Sequence, residues 1–140
     1  LKGLWMLIDE FLLDEVTERA KANERLRMNF NLHDSLEAKA QRLLNALEPG
    51  TLLPIHRHRH TAETYIVLRE CIRVMFYNDE QVLIGEFRLS ALDEVYGVHI
   101  PAGQWHTLEV MEGGTVIFEV KDGPYAPLKP EDIMISETKS

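Results

Sequence analysis

From Gly50 onward the chain is cut into short apolar runs by Gly, Pro and Asn-Asp, and this texture restricts the possible folds more than any other feature. Runs at 52–55, 63–68, 72–77, 81–89, 97–100, 107–111 and 115–121 are too short for amphipathic helices and are rich in residues that suit strands. They recur about every ten residues, which favours an all-β sandwich or barrel over a doubly wound sheet. Asn78-Asp79 and Gly113-Gly114 read as hairpin turns between neighbouring runs. Before Gly50 the pattern differs. Ile8, Phe11, Leu12, Val16 and Ala20 follow a helical spacing with charged residues between them, predicting an amphipathic helix over 8–23. Residues 26–33 alternate apolar and polar, as a strand or extended arm would. The next stretch divides into a short helical or loop piece to Ala40 and a strand over 41–47 that ends at the Pro49-Gly50 turn.

The chain has 140 residues, enough for one domain with its own core. Residues 1–5 read as a vector-derived remnant, a disordered start or the inside of a longer chain, with Met6 a candidate native start. Residues 6–40 read as helix and arm, 41–126 as the β-domain, and 127–140 as a tail whose three prolines between Pro124 and Pro130 keep it extended. Fifteen Lys and Arg against 23 Asp and Glu leave a net charge of −8, which argues against a nucleic-acid binder or a polybasic membrane protein. The apolar run over 4–8 stops at Asp9, short of a signal core or a membrane span. A single cysteine, Cys71, cannot form an internal disulfide, so the expected location is the cytoplasm.

Within this ordinary composition the six histidines are concentrated between His33 and His106, three of them in PIHRHRH over 54–60. Side chains two apart on a strand share a face, so His56 and His58 can point the same way, and Glu63 can return from the next strand. Pro101 and Gly103 shape a turn that delivers His106. Neutral imidazoles with one carboxylate suit one divalent transition ion, Fe, Mn, Ni, Co or Zn, and an octahedral ion would keep about two positions open. The opposing reading is a solvated His-rich loop beside an unrelated core histidine. His60 shares the parity of His56 and His58 and offers a competing triad.

The spacings Gly50-x5-His56-x-His58-x4-Glu63 and Pro101-x-Gly103-x2-His106 resemble the two motifs of the cupin superfamily. The stretches 27–33 (RMNFNLH), 41–50 (QRLLNALEPG), 97–107 (GVHIPAGQWHT) and 118–125 (FEVKDGPY) narrow the resemblance to the WbuC family of cupin-fold metalloproteins, over nearly all of 8–134. The resemblance implies an all-β jelly-roll barrel (a double-stranded β-helix) with an N-terminal helix, a metal at its centre held by His56, His58, Glu63 and His106, and a link to bacterial surface-polysaccharide biosynthesis. By analogy with cupins it also implies a homodimer. The chain departs from the general pattern where Glu70 replaces a closing glycine, where Val95 stands before a late Gly97, and where Val110 replaces an Asn. These changes touch turns and surroundings and leave all four ligands in place.

Other residues divide between a site role and a bland one. Arg27, Arg42 and Lys121 could line the cavity mouth and receive an anionic small molecule, while Arg57 and Arg59 should point away from the ligands, into solvent or salt bridges. Asn29, Asn31 and His33 alternate on the arm and could close the pocket, or form the polar side of an edge strand. Glu119 and Tyr125 belong to the pocket or to an ordinary surface. His99 reads as a surface histidine, Cys71 as a buried small hydrophobe, and Trp105 as part of the wall. Three functions follow. The first is metal-dependent isomerase or epimerase chemistry on a sugar, nucleotide-sugar or similar polar metabolite, with His33, Glu119 or Tyr125 moving the proton. The second is Fe(II)-dependent oxygen chemistry, and the third is a non-catalytic metal-dependent binding module.

Overall fold

The computed structural model describes residues 4–134. Residues 1–3 of the expected start and 135–140 of the tail lie outside the described residues. A helix α1 (Glu10–Ala22) precedes eight strands: β1 (Arg27–Asn31), β2 (Ala40–Leu47), β3 (Glu63–Arg69), β4 (Ile72–Tyr77), β5 (Leu83–Leu89), β6 (Gly97–Ile100), β7 (Trp105–Val110) and β8 (Thr115–Asp122). They form two antiparallel sheets, one in the order β1-β2-β8-β3-β6 and the other β5-β4-β7. This is the jelly-roll architecture of cupins.

The helix starts where Asp9 accepts a hydrogen bond from the Leu12 amide at 3.0 Å, satisfying one of the free donors of the first turn. Its buried side is Leu13, Val16, Thr17 and Ala20, packed on Leu44, Ala46 and Val116 of the five-stranded sheet. Phe11, which the spacing places on the apolar face, is 86% exposed. Val16 and Ala20 keep their expected place, and Leu13 and Thr17 complete the buried face. Arg69 ties the helix to β3 through Glu10 and through Asp14 at 2.8 Å.

The opposite face of the same sheet closes the barrel against the three-stranded sheet. Leu47, Tyr65, Val67, Ile72, Val74, Leu89, Ile100 and Ile117 form this core. Gly97 is required here because β6 lies close against β3, where a Cβ would sit 2.1 Å from the Tyr65 carbonyl oxygen.

Two features differ from the sequence expectations, and a third concerns the turn at Glu70. The run over 52–55 is extended but joins no ladder, since Pro54 has no N–H to donate. Gly113-Gly114 carries the chain from β7 in one sheet to β8 in the other, so it links the sheets and is no hairpin. Glu70 adopts φ +61° in the turn between β3 and β4 and bears the left-handed conformation that a glycine would relieve, at roughly 1 kcal/mol.

Candidate metal centre

Residues 54–60 carry two of the four candidate ligands and are anchored by hydrogen bonds on both sides. The His56 amide donates to the His106 carbonyl at 3.0 Å, and the His106 amide returns a bond to the His56 carbonyl at 2.8 Å. The Gly103 amide, in a turn where Gly103 takes φ +84°, donates to the His58 carbonyl at 2.8 Å. The turn that delivers His106 is thus bonded directly to the segment that carries His56 and His58. Glu63 opens β3 on its inward face, in line with Tyr65 and Val67.

One donor atom from each of His56, His58, Glu63 and His106 lies within 4.8 Å of the others. Glu63 Oε2 is 3.2 Å from His58 Nε2 and 3.0 Å from His106 Nε2, yet it is buried without a hydrogen bond of good geometry. The imidazole orientations fit a cation. His56 Nδ1 lies 2.9 Å from the Pro54 carbonyl and His106 Nδ1 2.9 Å from the Gln104 carbonyl. A carbonyl can only accept, so both Nδ1 atoms carry a proton, and Nε2 is the ring nitrogen left to face a cation. Main-chain anchoring of the second ring nitrogen is the usual support for a metal-ligating histidine. Three imidazole nitrogens and a buried carboxylate, one oxygen of which lacks any other partner, form a donor set that could hold a divalent transition ion.

The electrostatics agree. Burial, helped by neighbouring His106, pushes the His56 imidazole down to about 4, so the ring is neutral at physiological pH. Burial alone would raise the Glu63 carboxyl, but His106 and His58 outweigh it and hold it well below the usual carboxylate range. The cluster therefore carries an ionised carboxylate beside the neutral His56 imidazole.

Around these donors the five-stranded sheet presents a polar inner face. Gln41, Lys121 and Glu63 are register partners across β2, β8 and β3, and the next row holds Leu43, Glu119 and Tyr65. Tyr65, whose hydroxyl is 3.5 Å from His106 Nε2, is raised well above its ordinary value by burial and by Glu63. Burial also raises Glu119, with the Glu63 charge adding to the effect, while Asn45 donates to Glu119 Oε2 at 2.8 Å. Sequence reasoning missed Tyr65 and Asn45. Tyr65 stands two positions beyond Glu63, so the parity rule applied to His56 and His58 also places it inward.

A cavity of about 290 Å³ adjoins the cluster at His58 and is lined by Gln41, Arg57, Arg59, Lys121, Tyr125 and the tail over 124–132. Lys121 and Tyr125 thus share a cavity, and His60 lies exposed on its wall, outside the cluster. Asn29 and Asn31 share the parity of Asn45 and Leu43 in register but are exposed on edge strand β1. His33, just past β1, has Nδ1 3.1 Å from both the amide and the carbonyl of Arg42, and its Nε2 is buried without a partner. Neither Asn29, Asn31 nor His33 lines the cavity. Arg42 falls on the parity of Leu44 and Ala46, the side α1 covers, and is exposed. Arg27 spends one guanidinium bond on the Leu52 carbonyl, at 3.1 Å. His99 Nδ1 is 3.0 Å from the Thr64 hydroxyl on the outer face, and Cys71 is buried. Arg57 and Arg59 do turn away from the ligands, onto Asp132.

A family model described as a domain of unknown function, DUF6016, matches residues 8–89. The chain belongs to the DUF6016 family. That match includes His56, His58 and Glu63, with His106 beyond it. No curated protein matches the chain. Among solved structures, the DUF6016 chain is similar to the capsular polysaccharide assembling protein CapF from Staphylococcus aureus, with a TM-score of 0.60 and 19% identity over 77% of this chain and 32% of that one. It is also similar to KdgF from Halomonas sp., at a TM-score of 0.56 and 12% identity over 71% of this chain and 80% of that one. A third is a sugar phosphate isomerase of the cupin superfamily from Silicibacter pomeroyi, at a TM-score of 0.55 and 20% identity over 69% and 59%. The chain spans about a third of the length of CapF. Identities this low carry the fold alone, which is that of cupins. Among the described residues no helix is long and apolar enough to cross a membrane.

Proposed function

We propose that this DUF6016 protein is a metal-dependent cupin of the WbuC type that acts on a sugar, nucleotide-sugar or related polar metabolite in surface-polysaccharide assembly, by isomerase- or epimerase-like proton transfer. The observation that carries the reading is the convergence of four donor atoms within 4.8 Å, two of them imidazole Nε2 atoms left free by main-chain carbonyls at Nδ1. A divalent ion held there supplies Lewis acidity to a substrate oxygen. The names of CapF and of the sugar phosphate isomerase support a carbohydrate substrate.

The chain's own residues divide the remaining work. Glu119 is the favoured proton carrier of the three candidates, because it is buried on the inner face one row from Glu63 and its raised pKa lets it hold a proton that a surface carboxylate would lose. Asn45 fixes its orientation through Oε2. Lys121, the register partner of Glu63, lines the cavity beside His58, where an ammonium favours an anionic group on the ligand within a chain of net charge −8. Tyr125 lines the same cavity.

Element-resolved analysis of the purified protein and of His58→Ala tests the ligand assignment. The expected result is close to one transition ion per chain in the wild type and its loss in a folded variant, and full retention by His58→Ala defeats the assignment. Incubation with nucleotide-sugars in deuterated water tests the chemistry. Deuterium should enter substrate carbon with the metal-loaded protein and not with Glu119→Gln. Oxygen consumption by the Fe(II)-loaded protein without deuterium entry would overturn the isomerase reading in favour of oxygen chemistry.

A further inference from the structure

The segment that carries His56 and His58 belongs to no strand, and one of its two flanks is the C-terminal tail. The Arg57 amide donates to the Asp132 carbonyl at 3.0 Å, and the Met134 amide donates to the Ile55 carbonyl at 2.8 Å. His56 forms a bridge with Ile133 on this side and with His106 on the other. The ligand-bearing segment is therefore held as the middle of three extended pieces.

The side chains repeat this arrangement. Along 56–59 the residues alternate, with His56 and His58 turned to the cluster and Arg57 and Arg59 turned to the tail. Both arginines end on one atom. Asp132 Oδ1 accepts from Arg57 Nε at 2.9 Å, from Arg59 Nε at 3.1 Å and from a terminal nitrogen of Arg59 at 2.9 Å. Asp132 is itself buried, at 7% exposure. The Arg57 guanidinium also lies over the Trp105 ring, 4.5 Å from its centroid, and Trp105 precedes His106 and donates through Nε1 to Asp79 at 2.9 Å.

We infer that Asp132 is a positioning residue for the metal centre: by holding Arg57 and Arg59 together it fixes the twist of the segment and so the directions of His56 and His58. The inference rests on the metal-binding reading above. Fixing two alternate side chains on one oxygen determines the rotation of the intervening residue, which is the ligand His58. Asp132 also offsets two guanidinium charges carried by the residues that flank His58. Loss of such an outer partner lowers metal affinity by roughly 10- to 100-fold.

Titration with Co(II), followed by calorimetry and by the visible absorption of the bound ion, tests this in the full chain. Asp132→Asn should weaken binding at least about tenfold and alter the absorption bands, with far-UV dichroism unchanged. The triple variant Asp132→Asn, Arg57→Gln, Arg59→Gln removes the uncompensated charge without restoring the clamp, and it should remain weak with altered bands. Arg59→Gln removes two of the three bonds at a residue half in solvent, so it gives an intermediate loss even if Asp132→Asn fails to fold. Wild-type affinity and spectrum in both Asp132→Asn and Arg59→Gln would overturn the clamp and leave the metal reading standing. If the wild type itself takes up no Co(II), both fall together.

Discussion

Addition of a divalent ion should raise the melting temperature of the metal-free protein by an amount that the folding of the site sets. A ligand that binds only the native state stabilises it by about 2.7 kcal/mol when its free concentration is 100 times Kd. At about 2.1 cal/mol/K per residue, unfolding of this 140-residue chain carries roughly 0.3 kcal/mol/K, so the shift should be about 9 °C. The argument depends on the unfolded chain binding poorly. His56, His58 and Glu63 lie within eight consecutive positions and can meet an ion in an unfolded chain, whereas His106 arrives only through β7 and is 1% exposed. His106 is therefore the ligand that ties ion binding to folding. The assay is thermal unfolding by circular dichroism with chelator and with Co(II) at 100 times the measured Kd, on the wild type and on His106→Gln. The variant should lose more than half of the shift. A shift that survives intact in His106→Gln, or a wild type whose melting ignores the ion, would refute the reasoning.

Two further outcomes follow from the surroundings of the site. Burial and the Glu63 charge raise the Glu119 pKa above the usual carboxylate range, so its contribution to stability is full below that range and is lost as pH rises through the folded value. Glu119→Gln cannot ionise, and denaturant unfolding of metal-free protein should show the variant gaining on the wild type across that window, where parallel pH profiles would count against a raised pKa. Gly97→Ala would place its Cβ 2.1 Å from the Tyr65 carbonyl oxygen and 2.7 Å from Ile66 Cδ1. Overpacking of this kind costs about 1–3 kcal/mol, and an unchanged urea midpoint would mean that β3 and β6 are not so closely joined.

Strand boundaries were largely legible because turn residues bracket them: β4 and β6 coincide with their expected spans, and the other ladder strands differ by a residue or two at their ends. The four donor residues stood out for the same reason, since period-two parity and a Pro-Gly turn are local properties of the sequence. The helix was legible in type but not in face, because Phe11 and Leu13 fit neighbouring stripes and only the position of Leu44 and Val116 chooses between them. Arg42 illustrates a second limit: its charge suggested the cavity, while the pairing of β2 with β8 turns its parity to the helix side. Least legible was Asp132, which lies more than seventy residues beyond the arginines it holds and follows a proline-rich stretch that reads as an ordinary tail. Gly113-Gly114 misled for a related reason, since a turn signal does not say which sheet the next strand will join.

The two carbonyls that engage the Nδ1 atoms of His56 and His106 belong to Pro54 and Gln104, each two positions before the ring it orients. At both places the acceptor is a main-chain atom, so the side chain of the residue that supplies it does not itself touch the ring. Point substitutions that preserve the main-chain path should therefore leave the tautomers unchanged, and relatives could differ freely at the Gln104 side chain while keeping the same centre. A one-residue insertion or deletion between 54 and 56, or between 104 and 106, would turn a ring away with every ligand still present. Length across these two intervals is thus a stricter signature of a working centre than the residues that fill them.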